Sequence, residues 1–138
     1  MNLSIILPAK NEAEGLARTL PGLRERYPEA EIIVVDDGSS DHSHEVIGRY
    51  AGRVVPLLKG NGGMGSTYNA GLGLSRGDII LFLDADDMLL PDAVEEAVRC
   101  FDDPAVTKAH WPLDVVDEAG ISTGEMIPAQ PLAEGDFR

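Results

Sequence analysis

Cysteine occurs once in this chain, at Cys100, so neither a disulfide framework nor a cysteine-based zinc site can be built from it. A reducing, cytoplasmic compartment is the natural setting. The thiol lies in the apolar run Ala97, Val98, Cys100, Phe101, where an inert buried side chain is expected. Basic residues are scarce too, eleven against twenty-four acidic ones, for a net charge of -13. With no basic patch in view, that balance repels nucleic acid and anionic lipid surfaces. No apolar run approaches the roughly eighteen residues a membrane helix needs. The N-terminus enters Leu3-Ser4-Ile5-Ile6-Leu7 without a basic leader, so no signal peptide is expected.

At 138 residues the chain has the length of one domain, enough to bury about two-thirds of its unfolded surface. Its most informative stretch runs from Asp78 to Pro91. Ile79 to Leu83 has the length and composition of a strand buried on both faces, and it ends at Asp84, Asp86 and Asp87. If the extended conformation persists, Asp84 and Asp86 project the same way, and like charges that close repel. A hard divalent cation, Mg2+ or Mn2+, would relieve them, since such ions take one or two protein carboxylates plus substrate phosphates. A helix cap at Asp86 or Asp87 is the plainer alternative. A calcium loop fails because Leu89 stands where its sharp turn needs glycine.

The remaining apolar segments alternate in type. Leu3 to Leu7 reads as a strand ended by Pro8, followed by a helix with Leu16, Leu20, Leu23 and Tyr27 on one face. Asn11 is its expected N-cap, with Glu14 in the capping-box position and a kink or restart at Pro21. Ile32 to Val35 is a second strand ending in Asp36 and Asp37, then a helix capped by Ser40 or Asp41 that runs to about Tyr50. Arg53 to Leu58 is a weaker strand, placed at an edge by Pro56. A glycine-rich loop, Gly60 to Gly65, leads into a helix over 66–75. A helix over 92–101 and a strand over 106–111 complete the order. Such alternation predicts an α/β, Rossmann-like, mostly parallel sheet with helices on both faces. Ligands of these sheets bind outside the carboxyl ends of the strands. Loops 8–12, 36–39, 59–65 and 84–87 should therefore form one site.

Two nucleotide readings compete for that site. Gly60-Asn61-Gly62-Gly63-Met64-Gly65 satisfies the dinucleotide-binding fingerprint, with Asp84 nineteen residues beyond Gly65, which suggests an NAD(P)-dependent oxidoreductase. It ranks second, because the strand before it holds Pro56 and two whole strand-helix units precede it unexplained. In the first reading Asp36 and Asp37 accept an N–H from a base, uracil or guanine, while Asp86 and Asp84 hold a metal on the diphosphate. A non-catalytic nucleotide-binding module is a third possibility.

Four motifs then carry a resemblance. Leu7-Pro8-Ala9-Lys10-Asn11-Glu12, Ile33 to Asp41, Asn61 through Leu72 and Gly77 to Asp87 followed by Pro91 resemble the nucleotide-sugar half of a family 2 glycosyltransferase with the GT-A fold. The resemblance implies that Pro8, Ala9, Asn11 and Glu12 line the nucleotide and that Asp37 with Asp36 contacts the base. Asn61 and Asn69, with Gly62 nearby, would shape the donor pocket. Asp84 and Ala85 would face the ribose or metal, and Asp86 would ligate the metal. It implies metal-dependent, inverting transfer from a UDP- or GDP-linked sugar to a hydroxyl of a glycan or lipid acceptor. Tyr68 departs from the pattern, since many members carry Arg there. The whole of 1–138 would be one donor-binding domain, with acceptor segment and catalytic base expected beyond Arg138. His110, Asp114, Asp117 and Glu118 are the weaker internal candidates for the base; His42 and His44 read as solvated. Some members carry membrane helices, which leaves the cytoplasm and the cytoplasmic membrane face both open.

Overall fold

The computed structural model describes residues 2–129. The chain divides into two compact units, Met1–Leu90 and Pro91–Arg138.

The first unit is built on four parallel strands: β1 (Leu3–Ala9), β2 (Glu31–Asp37), β3 (Val55–Lys59) and β4 (Ile79–Phe82), in the order β3-β2-β1-β4. Helices α1 (Ala13–Arg26), α2 (Ser43–Gly48) and α3 (Gly63–Leu74) make the crossovers. Side chains of a strand alternate between faces, so β1 and β2 serve two cores. Ile5, Leu7, Ile32 and Val34 pack with Leu16, Leu20 and Leu23 of α1 and Val46 and Ile47 of α2. Ile6, Ile33 and Val35 form the second cluster, with Ala70 of α3 against it. These are the expected α/β layers.

On that second face α3 lies very close to the sheet. A Cβ added at Gly71 would collide with Ile6 Cγ2 and lie 3.2 Å from Val35 Cγ2. Gly71→Ala should therefore lose about 1–3 kcal/mol to overpacking, offset by at most about 1 kcal/mol of helix propensity. A melting temperature lower by a few degrees in calorimetry checks this.

Several expectations change. Pro8 lies inside β1, opposite Val35, rather than ending it. Ile6 and Pro8 share the flank of β1 that faces β4. Ile6 O accepts the Leu83 N–H at 3.0 Å, and β4 pairs no further than Ile6, so the donor that Pro8 lacks has no strand to meet. Pro21 sits inside a continuous α1. No capping box forms at its start. Asn11 adopts φ 56°, and its Oδ1 accepts the Ser40 N–H at 2.8 Å. The free N–H groups at the start of α1 turn instead to the next loop: Glu12 N–H donates to Ser43 Oγ at 3.0 Å and Ala13 N–H to Asp41 Oδ2 at 3.2 Å. β3 is an edge strand, as Pro56 suggested. β4 is the other edge among the described strands, and Phe82 is exposed rather than buried on both faces.

The second unit holds α4 (Ala93–Cys100) and an antiparallel hairpin of β5 (Leu113–Val116) and β6 (Ser122–Ile127). No strand forms over 106–111. Cys100 is exposed, a correction to its expected burial. Val94 is the one buried residue of α4, and six positions further on a helix has turned about 120° away from it.

Candidate functional site

Parallel connections place the carboxyl ends of all four strands on one rim, and a cleft of about 360 Å3 opens there. Pro8, Ala9 and Glu12 from the end of β1, Asp37 from β2, Asn61 from the loop after β3, and Asp84, Ala85 and Asp86 after β4 all line it. Four widely separated stretches of sequence thus meet in one place. Lys10, Gly63, Met64 and Thr67 line it as well. Lys10 belongs to the first motif, Leu7 to Glu12. The other three belong to the first turns of α3, which begins three residues earlier than its periodicity indicated.

Four predicted residues do not line the cleft. Asn11 joins the first two loops, with its N–H on Ser39 Oγ at 2.8 Å and its Oδ1 on Ser40. Asp36 is fully buried; its Oδ1 accepts the Ser39 N–H at 2.7 Å, and its Oδ2 lies 3.1 Å from His44 Nε2, too far off line for a hydrogen bond. His44 and His42 are both exposed; His42 Nδ1 lies at hydrogen-bond distance, 3.0 Å, from Glu45 Oε1. Asn69 is exposed on α3. Gly62 contributes its backbone amide instead.

That amide belongs to the tightest polar cluster of the rim. Asp37 accepts from Lys59 Nζ, from Gly62 N–H at 2.8 Å and from Gly63 N–H at 2.8 Å. The Lys59 ammonium, with both amides adding to it against the cost of burial, brings the Asp37 carboxyl down to about 2. Gly38 makes the close approach possible: its φ is +77°, and a Cβ there would stand 2.9 Å from Asn61 N. The glycine loop therefore spends two of its amides on a carboxylate of its own chain. A pyrophosphate reading of the fingerprint needs such amides free.

The other end of the cleft is crowded with negative charge. Asp87 N–H donates to Asp84 O at 3.0 Å, so the chain turns at 84–87 and does not continue as a strand. Thr19 Oγ1 donates to Ala85 O at 3.1 Å, and a Cβ on Gly15 would sit 2.8 Å from that oxygen; Gly15 is what lets α1 come so near. Tyr68 Oη donates to Asp84 Oδ1 at 2.9 Å, its ring edge-to-face with Phe82. Burial and then the Asp84 hydrogen bond push the Tyr68 phenol up to about 12. Asp87 is raised by burial and then by Asp84 and Asp86; Glu12 is raised by burial, then Asp86 and Asp41, with Arg18 opposing. Among the described residues no three acidic, histidine or cysteine side chains converge as a metal cage.

A raised carboxyl favours the folded state when neutral. That stability is complete below the ordinary carboxylate pKa and is lost as pH rises through the raised value. Asp87→Asn should accordingly raise the melting temperature at pH 7 and leave it unchanged near pH 3, where the native carboxyl is already protonated. Melting curves at the two pH values test this.

Of the internal candidates for a base, Asp114 Oδ1 accepts from Ser122 Oγ at 2.7 Å, and Asp117 Oδ1 accepts the Ala119 and Ile121 N–H groups at 2.9 Å each. Both carboxylates hold the hairpin together. Glu118 and His110 are exposed.

The chain resembles known proteins at the level of family, relatives and fold. The family model described as Glycosyl transferase family 2 matches residues 4–125. An uncharacterized glycosyltransferase of Nostoc sp. is 33% identical over 122 residues, covering 85% of this chain and 38% of the relative. Chondroitin synthase of Pasteurella multocida is 38% identical over 103 residues, 72% of this chain and 11% of the relative. The chain thus spans well under half the length of the curated relatives it matches. A mannosyltransferase from Pyrobaculum calidifontis, solved with GDP-Man and Mn2+, superposes with a TM-score of 0.69 at 25% identity over 76% of this chain and 33% of that one. S. aureus TarS 1-349 with UDP-GlcNAc gives 0.64 at 24% identity, covering 86% and 39%, a likeness of fold alone.

Proposed function

This chain belongs to glycosyltransferase family 2, and we propose that its cleft binds the nucleoside diphosphate of a UDP- or GDP-linked sugar for transfer to an acceptor hydroxyl. The convergence of four strand-end loops on one cleft, Asp37 at one end and Asp84 with Asp86 at the other, carries the reading. Pro8, Ala9 and Glu12 lie between those ends, where a nucleotide would run along the rim. Asn61 and Ala85 also line the cleft. Lys10 brings a cation into the cleft, suited to an anionic diphosphate. Asn11, Asp36 and Gly62 act from behind the lining by holding loops in register.

Asp84 and Asp86 fit Mn2+ or Mg2+. They crowd like charge that a cation would relieve, and one Asp84 oxygen is held by Tyr68 while the other is left to a ligand. Two carboxylates, with no third converging on them among the described residues, match an ion whose shell is completed by water and substrate phosphate. Bound there, the ion would neutralise charge on the departing diphosphate, a contribution on the order of a few kcal/mol. The reaction is inverting in this reading: an acceptor hydroxyl of a glycan or lipid attacks the anomeric carbon as the diphosphate leaves.

Calorimetric titration of the full chain with UDP and GDP, with and without Mn2+, tests the reading. Binding of at least one, tighter with Mn2+, is expected; no binding of either under any condition would end it. The paired amides of Gly62 and Gly63 argue against NAD, so an NAD titration should show no heat.

A further inference from the structure

We propose that Lys59 sets the base preference of this cleft, filling acceptor capacity on Asp37 so that a base offering one N–H is taken over a base offering two. The inference rests on the nucleotide reading above and goes beyond it by choosing uracil over guanine.

An ionised carboxylate has about four acceptor positions, two on each oxygen. On Asp37, Oδ1 receives the Lys59 ammonium and the Gly62 N–H at 2.8 Å, and Oδ2 receives the Gly63 N–H at 2.8 Å. One position is left, on Oδ2. Asp37 lines the cleft, so that position is what its carboxylate offers a ligand. The neighbouring carboxylate does not make up the shortfall: Asp36 is 0% exposed and does not line the cleft. Asn61 Oδ1 accepts that same Gly63 N–H at 3.3 Å, which leaves it one acceptor position rather than two.

Uracil presents a single N–H between two carbonyls. Guanine presents its ring N–H and its 2-amino group side by side and needs two adjacent acceptors. With the ring N–H on Oδ2, its amino group would meet Oδ1, where an ammonium already stands. A donor facing a cation, with no acceptor of its own, is costly. Lys59 is fixed in that place: its Nζ also donates to Gly60 O at 2.9 Å, and its side chain is only 20% exposed.

Calorimetry on the full chain with Mn2+ tests this with UDP, GDP and inosine diphosphate, which keeps the ring N–H of guanine and lacks the 2-amino group. The wild type should hold UDP about tenfold or more tighter than GDP, and inosine diphosphate should also bind better than GDP. Lys59→Met, its fold checked by circular dichroism, frees a position on Oδ1 and should bring UDP and GDP to within about threefold. GDP binding as well as UDP in the wild type, or inosine diphosphate no better than GDP, overturns the inference while leaving the nucleotide reading intact. An unchanged ratio in folded Lys59→Met also overturns it. Binding of none of the three removes the nucleotide reading and this inference with it.

Discussion

Asp86→Ala should abolish the Mn2+ dependence of nucleotide binding while leaving the chain folded. Asp86 is exposed at the turn after β4, and its side chain takes no hydrogen bond among the described residues, so its removal disturbs no packing. It also relieves like charge, since Asp86 contributes to raising both Glu12 and Asp87. The expected result is thus two-sided. Nucleotide affinity in Mn2+ falls by at least about tenfold, the scale seen when even outer partners of a metal are lost. The melting temperature without metal stays level or rises. Calorimetric titration and melting curves on one preparation read both, and an affinity in Mn2+ equal to wild type would rule Asp86 out as a ligand.

The second large effect is expected at Asp37, and it should go the other way on stability. Asp37→Ala leaves the Lys59 ammonium and the Gly62 and Gly63 amides without the acceptor they share. Unmade hydrogen bonds at partly buried groups cost far more than made ones gain. The loop leading into α3 should loosen, the melting temperature should fall by about 5 °C or more, and nucleotide binding should be lost with or without metal. The pH dependence follows from the lowered pKa. The carboxylate's contribution is complete above the ordinary aspartate range and disappears as pH falls towards about 2. Wild type and Asp37→Ala should therefore converge in stability in strong acid. A variant that melts with wild type at pH 7 would show that the cluster does not hold the loop.

The contrast between these two aspartates explains how far the chain could be read without coordinates. Both end a β-strand motif, and by residue type both suit a ligand. Asp86 is left to solvent, whereas Asp37 is already occupied by its own chain. No spacing rule reveals that, because its partners lie twenty-two to twenty-six residues away on a different strand and helix. The Asp84–Asp87 corner is similar. The expectation that extended backbone aims Asp84 and Asp86 the same way gave the right wall of the cleft for the wrong local reason, since the backbone turns there and Gly15 and Thr19 of α1 hold it.

What the sequence determined by itself was the alternation of strand and helix, the parallel sheet that follows from it, and the gathering of four loops at one rim. Those depend on periodicity and on the handedness of crossovers, which are local properties of the chain. What only the tertiary structure decided was which polar groups remain free at that rim. Asp36, Asn11 and two glycine amides are consumed in holding loops together, whereas Lys10 and Thr67 enter the cleft. Hydrogen-bond capacity is finite and is claimed by whichever donor the fold brings nearest, and that assignment depends on distances across the sheet that no stretch of sequence carries alone.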